Sequence, residues 1–312
     1  MTASVDIIIV NWNAGRQLRE CLASIVTTQR DGFAVRQVVV VDNASRDNSI
    51  VGLDDLALPL TIIHNTVNLG FAVACNVGAH KSTADYLLFL NPDTRLFADS
   101  LSKPLAFMEH PKNQGTGIVG IQLLDANGQV NRHCAQFPTP GGIFFKSLGL
   151  DRLFPRLFPS YVMTAWAHRE SRQVDHVIGA FFLVRRSLFE SLGGFDTRFF
   201  VYLEDLDFSL RASRAGWSSF YLTETQAFHR GGGTSEQVKA TRLFYALRSR
   251  ILYGYKHFRW TAATGLLLTT LLLEPLVRLG FALMKGTLTE VQETLQGYYL
   301  LWSTFPRWFC RC

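Results

Sequence analysis

The chain has 312 residues, 48% of them hydrophobic and 18% charged, which is enough apolar material for a substantial core and excludes a disordered protein. Its formal charge of +6 is unevenly placed, because residues 1–235 carry as many acidic as basic side chains and the whole excess lies in residues 236–312. Such a tail suits an anionic membrane surface or nucleic acid. Five scattered cysteines (Cys21, Cys75, Cys134, Cys310, Cys312) form no C-x-x-C pair and lack a histidine at zinc-ligand spacing, so a reducing compartment is expected. No basic segment precedes the short apolar run of residues 5–10, so no signal peptide is expected and the main body is placed in the cytoplasm.

In chain order, short β-branched runs at residues 7–10, 38–41, 61–64, 86–90 and 118–123 alternate with amphipathic stretches such as 17–26 and 72–80. The alternation predicts an α/β fold, a mostly parallel Rossmann-like sheet flanked by helices. Ligands bind such sheets at the carboxyl ends of the strands. Polar residues gather there: Asn11 and Asn13, then Asp42-Asn43-Ala44-Ser45, then Asn65 and Asn68, then Asp93. Residues 125–175, rich in proline and aromatics, read as a variable loop region facing an acceptor. Beyond them a strand is predicted at 177–184, a helix at 186–192, a turn at Gly193-Gly194-Phe195-Asp196, and a helix from about Asp205 to Ala215 ending at Gly216.

Two acidic sites follow apolar runs: Asp93 in Leu90-Asn91-Pro92-Asp93-Thr94, and Glu204-Asp205 after Phe199-Phe200-Val201-Tyr202. One carboxylate suits a metal held against a phosphorylated substrate, and the other suits proton removal from a nucleophile; the alternative is that both cap helices. Asp205-Leu206-Asp207 also has D-x-D spacing and competes for the metal role. On a helix starting near Asp205, however, Asp207 points about 200° away. His229, in His229-Arg230-Gly231-Gly232-Gly233 after a strand at 219–222, reads either as structural or as a ligand for metal or phosphate. The literal G-x-G-x-x-G at Gly115–Gly120 precedes a strand rather than a helix and is taken as chance. The 231–235 glycine run lacks a P-loop lysine, and no G-x-S-x-G is present.

The ordered set Val10-Asn11-Trp12-Asn13, Val40-Val41-Asp42-Asn43-Ala44-Ser45, Asn68-Leu69-Gly70-Phe71-Ala72, Asn91-Pro92-Asp93, Gly193-Gly194-Phe195-Asp196, Leu203-Glu204-Asp205 and His229-Arg230-Gly231-Gly232 resembles glycosyltransferase family 2, most of all its rhamnosyltransferase-like branch. The resemblance runs in order over residues 5–255. It implies a GT-A fold and inverting transfer from a nucleoside diphosphate sugar. It puts Asp42 against the nucleobase, with Asn11, Asn13, Asn43, Asn68, Gly70 and Asn91 also at the nucleotide. It puts Asp93 and His229 at Mg²⁺ or Mn²⁺ and the diphosphate, and Asp205 as general base with Glu204 orienting acceptor or base. One departure is that the usual D-x-D is here Asn91-Pro92-Asp93, with fewer charged ligands for the cation.

Residues 236–259 read as a helix rich in arginine and aromatics. A charge-free run follows from Trp260 to Leu273, interrupted by Glu274-Pro275 and shorter than the about 20 apolar residues a bilayer span takes. With Arg278, Lys285, Tyr298, Tyr299, Trp302, Trp308 and Arg311, the pattern predicts interfacial helices on an anionic membrane surface rather than nucleic-acid binding; a core-packed hairpin or dimer interface is the alternative. The expected organisation is a catalytic domain at 1–235 and a helical, membrane-associating extension at 236–312. The expected protein is a transferase of rhamnose from dTDP-rhamnose to a lipid-linked or growing surface glycan, peripheral on the cytoplasmic face of the inner membrane. Another nucleotide sugar, or a non-catalytic sugar-binding protein of the same fold, are the alternatives.

Overall fold

The computed structural model describes residues 2–231, 238–284 and 286–309, with side chains to residue 305. Gly232 to Ser235 of the glycine run, Lys285, the Trp308 side chain, Cys310, Arg311 and Cys312 lie outside the described residues. The chain forms two compact units: residues 1–136, 162–197 and 204–234, and residues 137–161, 198–203 and 235–312.

The first unit is built on a mixed sheet. Its strands are β1 (Ala3–Asn11), β2 (Phe33–Asp42), β3 (Leu60–His64), β4 (Tyr86–Leu90), β5 (Thr94–Leu96), β6 (Thr116–Leu124), β7 (Arg172–Val174), β8 (Phe181–Arg185) and β9 (Ser218–His229). The order is β3-β2-β1-β4-β8-β6-β9-β5, with β7 on β9. Strands β3, β2, β1 and β4 are mutually parallel, as their alternation with helices predicts, whereas β8 enters antiparallel between β4 and β6. Both faces of β1 are buried, which is why it reads as an unbroken apolar run. Ile7 and Ile9 pack with Leu18, Cys21, Leu22 and Ile25 of α1 (Arg16–Val26). Ile8 and Val10 face the other way, with Ala72, Ala74 and Cys75 of α2 (Phe71–Ala79). The Gly115–Gly120 glycines serve packing: a Cβ on Gly117 would meet Leu188 at 2.4 Å, and one on Gly120 would meet Val177 at 2.7 Å.

Several strands run longer than predicted, β2 from Phe33 for example, and two boundaries near the site differ for tertiary reasons. The run 177–184 becomes a strand only from Phe181, because Gly179 and Ala180 turn toward other partners. Strand β9 does not stop at Leu222: its pairing with β6 jumps from Ile121↔Leu222 to Gln122↔Gln226, so Thr223, Glu224 and Thr225 bulge out and the strand resumes to His229.

The second unit is helical: α4 (Pro140–Ser147), α5 (Leu150–Leu153), α8 (Lys239–His257), α9 (Trp260–Leu268), α10 (Glu274–Met284) and α11 (Leu288–Phe309). Phe244, Leu247 and Ile251 of α8 form its core with Leu267, Tyr298 and Leu301. Glu274-Pro275 does not break the helix: α9 passes into α10 through a π-helical turn at Thr269–Leu273. Pro275 has no N–H for the Leu271 carbonyl, and that carbonyl instead accepts from Trp302 Nε1 at 3.3 Å. Glu274, 1% exposed, is neutralised by Arg250 and Arg278. By length and composition the resulting helix, Trp260–Met284, is sufficient to cross a membrane.

Candidate active site

The sheet register brings the predicted acidic sites to one end of the first unit. Thr94 of β5 pairs with His229, the last residue of β9, so Asp93 and His229 become neighbours from sequence positions far apart. Asp93 Oδ1 lies 3.3 Å from His229 Nε2, both side chains are buried, and the Arg230 N–H donates to the Asp93 carbonyl at 3.1 Å. His229 Nδ1 is buried without a hydrogen-bond partner. On the next strand pair, the Asn91 N–H donates to the Ala180 carbonyl at 3.0 Å, and the adjacent Gly179 N–H donates to Asp205 Oδ2 at 2.8 Å. A backbone chain of contacts therefore links the Asp93 turn to Asp205.

Asp205 is in the first turn of α7 (Glu204–Arg214), 15% exposed in its side chain. His176 Nε2 lies 3.6 Å from Asp205 Oδ2, and His176 Nδ1 lies 3.1 Å from Ser209 Oγ. Burial lowers the His176 pKa against the opposing pull of Asp205, so the ring is held neutral and has one N–H to give. Ser209 Oγ is also 2.9 Å from the Asp205 carbonyl. The Ser209 hydroxyl donates to that carbonyl when His176 presents Nδ1–H, and to Nδ1 when the ring turns its N–H toward Asp205. Glu204 is 5% exposed with Oε2 unpartnered; burial first, then the Asp205 charge, raises its pKa well above the carboxylate range and favours the neutral acid. Asp207 faces away as its helical position predicts, bonding Arg211 Nε at 2.8 Å, while Arg211 reaches the Leu192 and Gly194 carbonyls.

The predicted nucleotide residues sit at the ends of β1 and β2 and on the loop before α2, largely committed to one another. Asn11, fully buried, donates from Nδ2 to Asp42 Oδ1 at 2.8 Å and to Ser49 Oγ at 2.8 Å, with Ser45 Oγ at 3.0 Å. Asn13, at φ 51°, accepts the Arg46 N–H at 2.7 Å. Asn43 donates to Asn68 Oδ1 at 2.8 Å and accepts from Asn65 and Leu69 at 3.0 Å each. Gly70, at φ 87°, donates its N–H to Asn68 Oδ1 at 2.9 Å, a backbone setting that favours glycine. Asn91 holds its backbone between Ala180 and Thr94. The amides thus organise the loops around the Asp42 carboxylate.

Among the described residues no three His, Cys, Asp or Glu side chains cluster as a metal cage. Asp93 Oδ1 and His229 Nε2, 3.3 Å apart, nevertheless have the donor chemistry and spacing for a divalent cation that takes its other ligands from phosphate oxygens and water. The nearby thiols are inert: burial, then Asp93, raises the Cys21 pKa, and burial, then Glu204 and Asp205, raises that of Cys75.

Sequence reasoning passed over His176, Ser209 and Gly179. Gly179 falls inside the predicted strand 177–184 and Ser209 inside the predicted helix 205–215, while the signal for His176 is the polar pair Asp175-His176 entering an apolar run.

Residues 6–193 match the profile of Glycosyl transferase family 2. The chain belongs to glycosyl transferase family 2. This glycosyltransferase is 27% identical over 285 residues to the N-acetylglucosaminyl-diphospho-decaprenol L-rhamnosyltransferase of Mycobacterium tuberculosis, covering 84% of this chain and 88% of that protein. It is 30% identical over 177 residues to the rhamnosyltransferase WbbL of Escherichia coli K12, covering 56% of this chain and 58% of that protein. Its fold is that of the mannosyltransferase PcManGT from Pyrobaculum calidifontis in complex with GDP-Man and Mn²⁺ (TM-score 0.54, 20% identity, 95% of this chain and 79% of that chain). It is equally that of S. aureus TarS 1-349 in complex with UDP-GlcNAc (TM-score 0.54, 17% identity, 94% and 79%). The family 2 glycosyltransferase thus has the expected GT-A architecture, a mixed α/β sheet with C-terminal helices.

Proposed function

We propose that this family 2 glycosyltransferase moves a deoxysugar, rhamnose from dTDP-rhamnose, onto a hydroxyl of a lipid-linked or growing surface glycan, with inversion at the anomeric carbon. The observation that carries the reading is the convergence of Asp93, His229 and Asp205 at one end of the sheet through the β5–β9 and β4–β8 pairings. The rhamnosyltransferase names of the two sequence relatives support rhamnose as the transferred sugar.

In this reading Asp42 receives the nucleobase, with Asn11, Asn13, Asn43, Asn68, Gly70 and Asn91 shaping the nucleotide cleft. Asp93 and His229 would hold Mg²⁺ or Mn²⁺, which would supply positive charge against the departing diphosphate. Asp205 removes the proton from the acceptor hydroxyl as that oxygen attacks the anomeric carbon from the face opposite the leaving group. The Gly179 N–H and His176 orient the Asp205 carboxylate. Burial favours the neutral form of Glu204 beside it. The protein works from the cytoplasmic face of the inner membrane, with exposed Trp260, Leu268, Leu272, Leu276 and Leu283 as the apolar contact.

The test is release of nucleoside diphosphate across a panel of nucleotide sugars with a polyprenyl-diphosphate-linked acceptor. The expected result is acceptor-dependent release from dTDP-rhamnose above all others. Preference for another nucleotide sugar would reassign the donor, and no release from any would refute the transfer.

A further inference from the structure

A cavity of about 410 Å³ opens beside Asp93 in the first unit, walled by Arg16, Gln17 and Glu20 of α1, Arg95 of β5, Ala126, Phe228 of β9, and Arg230. Of the predicted site residues, only Asp93 lines it; Asp42, Asn43 and Asn68 do not. Its lining carries three guanidinium groups, Arg16, Arg95 and Arg230, against two carboxylates, Glu20 and Asp93, an excess of positive charge. Arg95 lies directly across the strand pair from Phe228 and stacks on that ring, its Cζ 4.1 Å from the centroid, which holds the guanidinium at the cavity wall. The carboxylate nearest to it, Glu20, stands 3.9 Å away with both side chains about half exposed, a weak and screened pairing. Arg16 and Arg230 make no ion pair among the described residues. The Asp93 carboxylate is already turned to His229. Three arginines converging on a concave space, two of them in no ion pair among the described residues, are a poor arrangement for an empty surface, because like charges repel at short range. They suit an anion with several oxygens that accepts forked N–H donors.

We propose that this cavity is a binding site for a phosphate-bearing group, adjoining but not identical to the Asp93–His229 pair. The proposal rests on the proposed function only for the source of that phosphate, which is either the diphosphate of a lipid-linked acceptor or that of the nucleotide sugar. The volume lies within the range of small-molecule sites, so a diphosphate with part of an attached sugar fits.

Inorganic pyrophosphate titrated calorimetrically into the full-length protein in EDTA isolates the arginines from any metal. Pyrophosphate is expected to bind, with affinity falling as NaCl rises. R16Q and R230Q should each weaken it about tenfold, the loss of one charge-assisted contact. Thermal melting of each variant, expected to match wild type because both side chains are exposed, separates a binding loss from misfolding. No pyrophosphate binding by wild type, or equal binding by both well-folded variants, would overturn the proposal. Steady-state kinetics then tells the sources apart: a rise in KM for the lipid-diphosphate acceptor alone assigns the site to the acceptor, and a rise in KM for the nucleotide sugar alone assigns it to the donor. Unchanged KM for both would overturn it as a substrate site. Should no donor support transfer, the functional reading fails while the pyrophosphate comparison remains readable.

Discussion

Replacing Asp205 by Asn separates the chemistry of the site from its architecture. The amide keeps the size of the carboxylate, and its oxygen can still accept the Gly179 N–H that Asp205 Oδ2 accepts at 2.8 Å. Exchanging a charged for a neutral acceptor there costs about 1 kcal/mol. Part of that is offset because the buried Glu204 no longer faces a neighbouring negative charge. Folding stability should therefore change little. The proposed base, by contrast, is gone: general-base assistance is typically worth about 10²–10⁴ in rate, equivalent to about 2.7–5.5 kcal/mol of barrier. Donor turnover measured as nucleoside diphosphate release, beside calorimetry of nucleotide binding, should show a loss of at least about 100-fold in kcat with affinity within a factor of about two. A second variant tests position rather than chemistry. A Cβ on Gly179 would stand 3.1 Å from Asp205 Oδ2, so Gly179→Ala keeps the carboxylate but displaces it, and kcat should fall while nucleotide affinity holds. Near-normal turnover by Asp205→Asn would refute the assignment and move the base elsewhere.

Asp93→Ala should abolish the dependence of nucleotide binding on Mg²⁺ or Mn²⁺, and His229→Ala should weaken it less; full activity after exhaustive chelation would remove the metal from the account. Glu204 holds a proton in the folded state that the unfolded chain releases above about pH 4.3, so it subtracts stability as pH rises, by up to about 1.4 kcal/mol per pH unit until its folded pKa is passed. Glu204→Gln should consequently raise the melting temperature more at pH 8 than at pH 5, and parallel melting curves for the two proteins across that range would contradict the burial argument. Leu272→Glu with Leu276→Glu, both exposed and one helical turn apart, should release the protein from anionic liposomes in flotation without unfolding it, because the apolar contact is lost and like charge faces the surface. Such surface changes are a cleaner probe than deleting the tail, because Leu267, Tyr298 and Leu301 complete the core around α8.

The parts of the fold legible in the sequence are those where burial on both faces forces an unbroken apolar run. Strands β1 to β4 and their intervening helices are found within a few residues, and Tyr86–Leu90 at its observed ends. Reading failed where tertiary demands override local pattern. Gly179 and Ala180 belong by composition to the strand that follows, yet their backbone groups serve Asp205 and Asn91. Thr223-Glu224-Thr225 looks like a strand end and is a bulge. Glu274-Pro275 looks like a helix break, but two arginines compensate the acid and an indole N–H from a distant helix compensates the proline. At the site, the acids were readable because they follow apolar runs. The commitment of Asn11 and Asn43 to internal bonds was not, since an asparagine that binds a ligand and one that braces a loop have the same letter and the same neighbours. Nor was the arginine cavity, which joins residues of α1, β5 and β9 that only the sheet order makes adjacent.

The central claim is a single displacement in which Asp205 activates the acceptor while the diphosphate leaves beside Asp93 and His229. The most direct test is the anomeric configuration of the first product, read by NMR from the one-bond C1–H1 coupling of the newly formed glycosidic linkage and compared with that of the donor. The account predicts an inverted linkage at every turnover. A product that retains the donor's configuration would require two displacements or a front-face departure, and would contradict the role given to Asp205.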